Sequence, residues 1–243
     1  FPTVDALIDA SDEFSGFVSI GPAPIAQDDL DRLYEALSHG VFIDINPAPA
    51  LFHSVRPDLQ QTVIDAIYTL REQGRQRIAF IGGAGHMMGS HVFAQDPRTV
   101  AFNEWAHLLD MPTDGYVYAS GPFTVENGRS QAEALLDACT DHLPDAVLVA
   151  ADPLAVGGIQ VLAARGLRVP DQIAVVSIDT LQVCEYTAPT LSSYAIERSE
   201  LAETALLLLS DAIVGRFMHK HHVLLSTRLV VRQSFIPAHG TTA

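Results

Sequence analysis

The sequence predicts an α/β protein built on parallel sheets, and two observations support that prediction. Short apolar runs alternate with helical patterns of ten or more residues along most of the chain, which is typical of right-handed β–α–β units. The runs do not alternate between apolar and polar residues, so we expect strands that are buried on both faces. Six such units are too many for one small sheet, and we expect two lobes with a hinge at residues 74–77.

The individual elements follow from these runs and from the helical periodicity between them. Strands are predicted at residues 16–20, 40–45, 77–82, 116–119, 146–150, 173–178, 223–225 and 228–231. Helices are predicted at residues 1–10, 27–38, 58–73, 97–109, 125–140, 153–165 and 198–214. Ligands bind beyond the carboxyl ends of strands in open parallel sheets, so polar residues that follow the runs are the first candidates for a site. They are Asp44, Asn46, Asp152, Asp179 and the glycine-rich segment that starts at Gly82.

The charge balance narrows the classes of partner. The 243 residues carry 14 Lys and Arg against 29 Asp and Glu, a formal net charge of −15. Because proteins hold nucleic acid by neutralising its phosphates with Lys and Arg, this chain is not expected to be the main nucleic-acid-binding surface. Anionic membranes are disfavoured for the same reason, and no apolar run reaches the ~18–20 residues of a membrane span.

The two cysteines, Cys139 and Cys184, have no C-x-x-C spacing. A disulfide framework and a zinc ribbon are therefore excluded as organising principles of the fold. Free thiols favour a reducing compartment, and we expect a cytoplasmic protein.

Two further segments raise the question of a cofactor or a metal. Residues 82–89 are rich in glycine and follow a predicted strand. They depart from the G-x-G-x-x-G spacing, and no helix begins directly after them, so we expect a flexible loop at the edge of a pocket rather than a dinucleotide site. Residues 219–222 hold three histidines without a neighbouring Asp, Glu or Cys, so we expect a solvated turn rather than a metal site. No cofactor and no metal are expected.

No arrangement of residues in the sequence indicates catalysis, and a G-x-S-x-G nucleophile motif is absent. Asp152 is interpreted as the N-cap of the helix that begins with Pro153. Asp179 ends an apolar strand and is either a cap or a ligand acceptor. Arg98 opens a helix, where the helix dipole disfavours a cation, so it is either in a surface ion pair or in contact with a ligand.

Five segments in order resemble the effector-binding domain of the LacI/GalR (lactose repressor and galactose repressor) family of bacterial transcription regulators. They are residues 74–83 (GRQRIAFIGG), 144–157 (PDAVLVAADPLAVG), 166–179 (GLRVPDQIAVVSID), 186–193 (YTAPTLSS) and 225–234 (LSTRLVVRQS). The segment VFIDINP at residues 41–47 is similar to the galactoside-type branch of the family.

The resemblance implies two Rossmann-like lobes with parallel sheets, of the type I periplasmic-binding-protein-like fold, joined by three crossovers. We place the crossovers near residues 73–75, 195–198 and 219–222. The expected N-terminal lobe is then 1–73 plus 198–219, and the expected C-terminal lobe is 74–195 plus 222–243. The family's DNA-binding headpiece, and the first strand and helix of its N-terminal lobe, are expected to be missing from this chain.

The resemblance also implies a set of ligand-binding residues. Arg98 matches the family's hydroxyl-clamping arginine, Asp179 its acceptor aspartate, and Phe123 the aromatic residue that stacks on the sugar. Ala151 and Ile196 fall at pocket positions. This sequence departs from the family where Ala151 stands in place of Asn or Ser, where Thr180 replaces a common second aspartate, and where Ile196 replaces a polar residue. A less polar pocket is expected.

The function implied is that of the sugar-sensing domain of a transcription repressor and not of an enzyme. A sugar or glycoside effector would bind between the lobes and change the geometry of a homodimer. Operator DNA would be bound through the helix-turn-helix that is missing here, and no membrane is involved. The alternative is a secreted sugar-binding protein of a transport system, which shares the two-lobed fold.

Overall fold

The computed structural model describes residues 3–21, 25–84 and 96–237. In chain order, the helices are α1 (Val4–Asp9), α2 (Gln27–Ala36), α3 (Leu59–Glu72), α4 (Pro97–Leu108), α5 (Val125–Ala138), α6 (Asp152–Ala164) and α7 (Arg198–Ile213). The strands are β1 (Phe17–Ile20), β2 (Gly40–Ile43), β3 (His53–Pro57), β4 (Ile78–Gly82), β5 (Val117–Ala119), β6 (Ala146–Val149), β7 (Ala174–Asp179), β8 (Ser192–Ala195), β9 (His222–Leu225) and β10 (Arg228–Val230). Short 3-10 helices lie at Ser11–Glu13 and Gln182–Glu185.

The described chain divides into two compact units. The first unit holds the described residues among 3–58 together with 197–226, and the second holds residues 59–84, 96–196 and 227–237. The predicted two-lobed α/β architecture is thus confirmed.

The first unit contains a four-stranded parallel sheet in the order β1-β2-β3-β9. Its core is aromatic, because the rings of Phe17, Phe42 and Phe52 meet edge to face at centroid distances of 5.3–5.7 Å. Leu30 and Leu33 of α2 are buried in the same cluster, and α7 packs against β1, β2 and β3. Tyr34 of α2 also meets Phe52 edge to face at 5.6 Å, so ring packing helps to fix α2 on the sheet.

The second unit contains a six-stranded sheet in the order β10-β8-β7-β6-β4-β5. All neighbours run parallel except β10, which is an antiparallel edge strand on β8. Two separate apolar clusters cover the sheet. One is built with α3 and α4 around Phe80 and Phe102, whose rings stack at 4.9 Å. The other is built with α5 and α6 around Leu135 and Ile159. The central strands are therefore covered on both faces, as their unbroken apolar sequence predicts.

Helices α5 and α6 pack against each other unusually closely, because two glycines face each other's backbone. A Cβ atom added at Gly128 would lie 2.2 Å from the Leu154 carbonyl oxygen, and one added at Gly157 would lie 2.2 Å from the Val125 carbonyl oxygen. Any side chain at either position would force the two helices apart.

The unit boundaries differ from the predicted lobe boundaries in two places. Helix α3 lies in the second unit, because its apolar face packs into the cluster formed with α4 and β4. Strand β9 lies in the first unit, because it pairs in parallel with β3. Among the described residues, the chain changes unit between Asp58 and Leu59, between Ile196 and Glu197, and between Ser226 and Thr227. Only the second of these points coincides with a predicted crossover.

The predicted strands and helices are otherwise found close to their expected places, but β3 and β8 are not among the predicted strands. No helix in the described part of the chain is long and apolar enough to cross a membrane.

Candidate ligand-binding site

All five predicted ligand-binding positions lie in the second unit. Asp179 is the last residue of β7, Ala151 comes two residues after β6, and Ile196 follows β8 directly. Phe123 follows β5, and Arg98 is the second residue of α4. Because β8, β7, β6, β4 and β5 are parallel neighbours, the positions that follow these strands share the carboxyl edge of one sheet, where ligands of open α/β sheets bind.

A buried ion pair fixes the Arg98 side chain. Nε and Nη2 of Arg98 donate to the two carboxylate oxygens of Asp96 at 2.8 and 2.7 Å, and Nη1 donates to the Ala150 carbonyl oxygen at 2.7 Å. The two side chains are only 12% and 8% exposed. The pair is therefore not the surface ion pair that the sequence allows, and its bidentate geometry holds the guanidinium plane still.

Asp96 also explains how a cation is tolerated at the start of α4. It is the N-cap of the helix, and its carboxylate accepts a hydrogen bond from the Arg98 backbone N–H at 2.9 Å. A carboxylate at the N-cap satisfies a free backbone donor and offsets the positive end of the helix dipole, and Pro97 is favoured at the first helical position. Asp96 thus fixes one of the predicted site residues, although its sequence position alone did not mark it as a candidate.

Phe123 lies under the guanidinium. The Arg98 Cζ atom is 4.8 Å from the centroid of the Phe123 ring, within the range of a cation–π contact. A Cβ atom added at Gly83 would lie 2.9 Å from the same ring, so the ring needs the bare glycine after β4. Phe123 also packs against the apolar clusters on both faces of the sheet. Its ring is consequently fixed from several sides.

Asp179 sits in an uncommon backbone conformation. Its φ angle is 113°, and that of the next residue, Thr180, is 55°, both in the region that residues with a side chain rarely adopt. Such strain persists only where the surroundings over-determine it, and it is found preferentially at functional sites. The backbone therefore leaves the regular course of β7 at Asp179.

The Asp152 carboxylate holds that turn in place, which corrects the interpretation of Asp152 as an N-cap. Helix α6 has Ala151 at its N-cap without a side-chain hydrogen bond, and Asp152 is its first residue. The fully buried Asp152 side chain accepts hydrogen bonds from the Ser177 hydroxyl, from the Ser193 hydroxyl at 2.8 Å and from the Leu181 backbone N–H at 2.5 Å. A buried carboxylate is stabilised by such donors, so tertiary contacts rather than the helix end use this side chain.

The remaining two positions are apolar. Ala151 is buried, and Ile196 is partly buried against the cluster that contains Phe80 and Phe102.

Cys184 is fully buried close to the turn at Asp179 and Thr180, and its backbone N–H donates to the Leu181 carbonyl oxygen at 3.0 Å. Burial, together with the Asp152 carboxylate, raises the pKa of the Cys184 thiol to about 12. The thiol is therefore not a nucleophile in this site.

The structure describes residues 219–222 and only part of the glycine-rich segment. No group of three His, Cys, Asp or Glu side chains in the described ranges is arranged to hold a metal ion. His219, His221 and His222 are exposed, in keeping with the predicted solvated segment. Two of them are also held by hydrogen bonds: the His221 backbone N–H donates to His53 Nδ1 at 3.0 Å, and His222 Nδ1 lies 2.9 Å from the Ser54 hydroxyl. Of the glycine-rich segment at residues 82–89, residues 85–89 lie outside the described residues.

Comparison with known proteins gives the family. Residues 67–235 match the family described as the periplasmic binding protein-like domain. The HTH-type transcriptional regulator LacR of Lactobacillus helveticus is 36% identical over 237 residues, which cover 98% of this chain and 70% of that protein. The HTH-type transcriptional regulator GanR of Bacillus subtilis (strain 168) is 31% identical, with 96% of this chain and 70% of the relative covered. The chain belongs to the LacI family of transcriptional regulators.

The similarity of this LacI-family chain extends to a solved regulator. The transcriptional regulator CelR in complex with cellobiose is 26% identical, with a TM-score of 0.75, and the match covers 96% of this chain and 70% of that chain. The resemblance seen in the sequence is confirmed. The transport-protein alternative is not favoured, because the curated relatives are HTH-type regulators.

Proposed function

We propose that this chain is the sugar-sensing domain of a LacI-type transcription repressor and that it binds its effector through Arg98, Phe123 and Asp179. The observation that supports this most directly is that all five predicted positions converge on the carboxyl edge of one sheet. Two of them are also in direct contact, since the Arg98 guanidinium lies over the Phe123 ring.

The chemistry of the three side chains suits a sugar. A carboxylate accepts hydrogen bonds from hydroxyl groups, and a guanidinium donates to their oxygens in fixed directions. An aromatic ring covers the apolar C–H face of a pyranose. Ala151 and Ile196 add apolar walls without hydrogen-bonding groups. A few directional polar groups in an apolar site are the usual design for a small ligand, so a sugar or glycoside that presents an apolar face fits best.

Regulation follows from differential affinity. A sugar that binds one conformation of the domain better than another shifts the population toward it by no more than that difference in affinity. In a homodimer, this shift would change how operator DNA is bound through a helix-turn-helix segment, and two-fold symmetry matches a pseudo-palindromic operator. This function is not enzymatic, and it places the protein in the cytoplasm with its DNA target.

A thermal-shift screen followed by calorimetry tests the proposal. The panel contains glucose, galactose, lactose, melibiose and cellobiose, and we expect at least one sugar to raise the unfolding midpoint because ligands stabilise the state they bind. Asp179→Asn should then weaken binding of that sugar by about 10- to 100-fold, the scale of one lost hydrogen bond to a charged group. A panel without a binder, or an Asp179→Asn variant with native affinity, would contradict the proposal.

Arg98 needs a more careful substitution than Asp179. Replacing Arg98 with alanine leaves the buried Asp96 carboxylate without its ion pair, which destabilises the fold as well as the site. Arg98→Lys keeps the charge but loses the bidentate geometry. We expect it to fold and to bind the sugar about tenfold more weakly, with calorimetry and a denaturation curve measured side by side.

A further inference from the structure

We propose that Asp152 and Ser193 are positioning residues for ligand binding, because together they hold Asp179 in its strained conformation. This inference rests on the proposed function, in which Asp179 contacts the sugar. Asp152 and Ser193 come from two different elements, α6 and β8. Neither is among the positions that the family resemblance assigns to the ligand.

Ser193 links the buried carboxylate to the turn. Its hydroxyl donates to Asp152 Oδ1 at 2.8 Å and accepts a hydrogen bond from the Thr180 backbone N–H at 3.0 Å. The Thr180 hydroxyl in turn donates to the Ser193 carbonyl oxygen at 3.1 Å. Residue 193 therefore engages residue 180 from both its side chain and its backbone.

The directions of these hydrogen bonds are fixed by chemistry. The Ser193 hydroxyl has a single proton, and it donates that proton to Asp152 Oδ1. Its lone pairs then face the Thr180 N–H. Asp152 Oδ2 simultaneously accepts from the Leu181 N–H at 2.5 Å. One buried side chain thus constrains both residues that follow Asp179, and hydrogen bonds in such a dry setting are strong.

The constraint matters because the turn is intrinsically unfavourable. Left-handed backbone is unfavourable for a residue with a side chain, and two successive residues, Asp179 and Thr180, adopt it here. Without the hydrogen bonds from Asp152 and Ser193, the turn would relax toward ordinary backbone and carry the Asp179 carboxylate with it. A ligand would then have to restore the geometry at a cost in affinity.

Ser177 provides a matched control. Like Ser193, it is fully buried, and its hydroxyl also donates to Asp152 Oδ1. It lies within β7, and its hydroxyl donates to Asp152, whereas the Ser193 hydroxyl also accepts from the Thr180 N–H and so bridges Asp152 to the turn. Removing either hydroxyl deletes one hydrogen bond to the same carboxylate oxygen. Only the removal of the Ser193 hydroxyl also frees the Thr180 N–H.

The experiment compares Ser193→Ala with Ser177→Ala by calorimetric titration of the panel sugar that binds the unsubstituted chain. We expect Ser193→Ala to raise the dissociation constant about tenfold, because the loss of one hydrogen bond that preorganises the site has an effect of this size. Ser177→Ala should leave the dissociation constant within about twofold of that of the unsubstituted chain. Thr180→Val, a substitution outside the buried core, should give an intermediate loss because only the bond to the Ser193 carbonyl disappears. Binding stoichiometry near that of the unsubstituted chain shows that the variants are folded.

The outcomes separate the two proposals. If no sugar on the panel binds the unsubstituted chain, the sugar-sensing function is overturned. If a sugar binds and Asp179→Asn abolishes binding, but Ser193→Ala and Ser177→Ala change the dissociation constant equally, Asp179 stands as a contact and the positioning inference alone is overturned. An unchanged affinity in Thr180→Val would also count against it.

Discussion

In the second unit the sheet has six strands, and helices cover both of its faces with two apolar clusters. The first unit has four strands, and its outer strand β1 ends in Ile20, which is 76% exposed. Helix α7 of the first unit likewise leaves Leu206 and Leu207 60% and 67% exposed. The second unit also leaves Leu108, Tyr186 and Ile236 more than 60% exposed, so the units differ in the two apolar clusters that cover the larger sheet and not in the exposure of apolar side chains.

This difference bears on where a ligand can be recognised. Directional recognition needs side chains that are held still by packing and by hydrogen bonds. In the second unit, the Arg98–Asp96 pair and the Asp152 hydrogen bonds stand on a sheet that is buried on both faces. The residues that fix the proposed site therefore stand on the unit whose sheet is covered by two apolar clusters.

Breaking the tight contact between α5 and α6 should have the largest effect. Gly157→Ala brings a methyl group within 2.2 Å of the Val125 carbonyl oxygen, and we expect it to lower the free energy of unfolding by about 3 kcal/mol. Gly158→Ala is the control in the same helix, since its Cβ would lie 4.0 Å from Ala132. It should instead be neutral or stabilising by about 0.5–1 kcal/mol, because alanine favours helix over glycine.

Urea denaturation of both glycine variants checks this pair. The difference between them measures how closely the helices of the second unit are packed. Equal midpoints would show that α5 and α6 separate easily, and the contrast between the units would lose its main support.

Acid should weaken the first unit through His53. Burial lowers the pKa of His53 to about 4, and nearby basic groups add to the effect. Those groups are Lys220, His221, His222 and His39. Because the unfolded chain binds a proton near pH 6.5 and the folded chain only near pH 4, stability is full above pH 6.5 and falls as the pH drops from 6.5 to 4. Between pH 7 and pH 5 we expect a loss of about 2 kcal/mol.

Denaturation curves at the two pH values measure this loss. His53→Gln keeps an acceptor for the His221 N–H but does not titrate, so its stability should change less over the same interval. An identical pH dependence in both proteins would assign the effect to other groups.

The aromatic contact of the proposed site should give an effect of similar size, but on ligand binding. Phe123→Ala is expected to weaken binding of the panel sugar by roughly 1–3 kcal/mol, the scale of a lost buried aromatic contact. Because Phe123 also packs against both clusters of the second unit, the variant should be less stable too. Phe123→Leu restores most of the apolar volume without the ring face, and calorimetry that finds native affinity in both variants would remove Phe123 from the site.

The exposed residues of α7 should give the smallest effect. Leu207→Ala is expected to change the free energy of unfolding by less than about 0.5 kcal/mol, whereas Leu208→Ala, at a buried neighbouring position, should cost about 2 kcal/mol. Thermal unfolding of the two variants sharpens the description of the first unit. A large loss in Leu207→Ala would show that this side chain is covered in solution.

Apolar runs predict most strands, but they do not predict β3 and β8, because polar side chains are buried in both. His53 and Ser54 lie in β3, and Ser192 and Ser193 begin β8. These side chains are satisfied by partners far away in sequence, such as the bond from the Ser192 hydroxyl to the Phe235 carbonyl oxygen. Hydrophobic periodicity is a local signal, so it cannot register burial that depends on distant partners.

In the candidate site, too, local sequence signals predict some residues, whereas the role of others depends on tertiary contacts. The strand ends and the resemblance together place Arg98, Asp179 and the other predicted positions at one sheet edge. The residues that fix their geometry, Asp96 and Asp152, look from the sequence like ordinary helix-start carboxylates. Their partners are set by the three-dimensional fold, although a carboxylate directly after an apolar strand was a usable signal for Asp152.

The buried thiol of Cys184 is a built-in probe of local opening in the second unit. A thiol with a pKa near 12 and no exposed surface stays protonated and does not meet an alkylating reagent in the closed state. Its modification must then wait for the segment around Leu181 to open, so the rate of alkylation counts opening events beside Asp152. A bound effector that stabilises this region would lower the rate of Cys184 alkylation, and the measurement would need no introduced label.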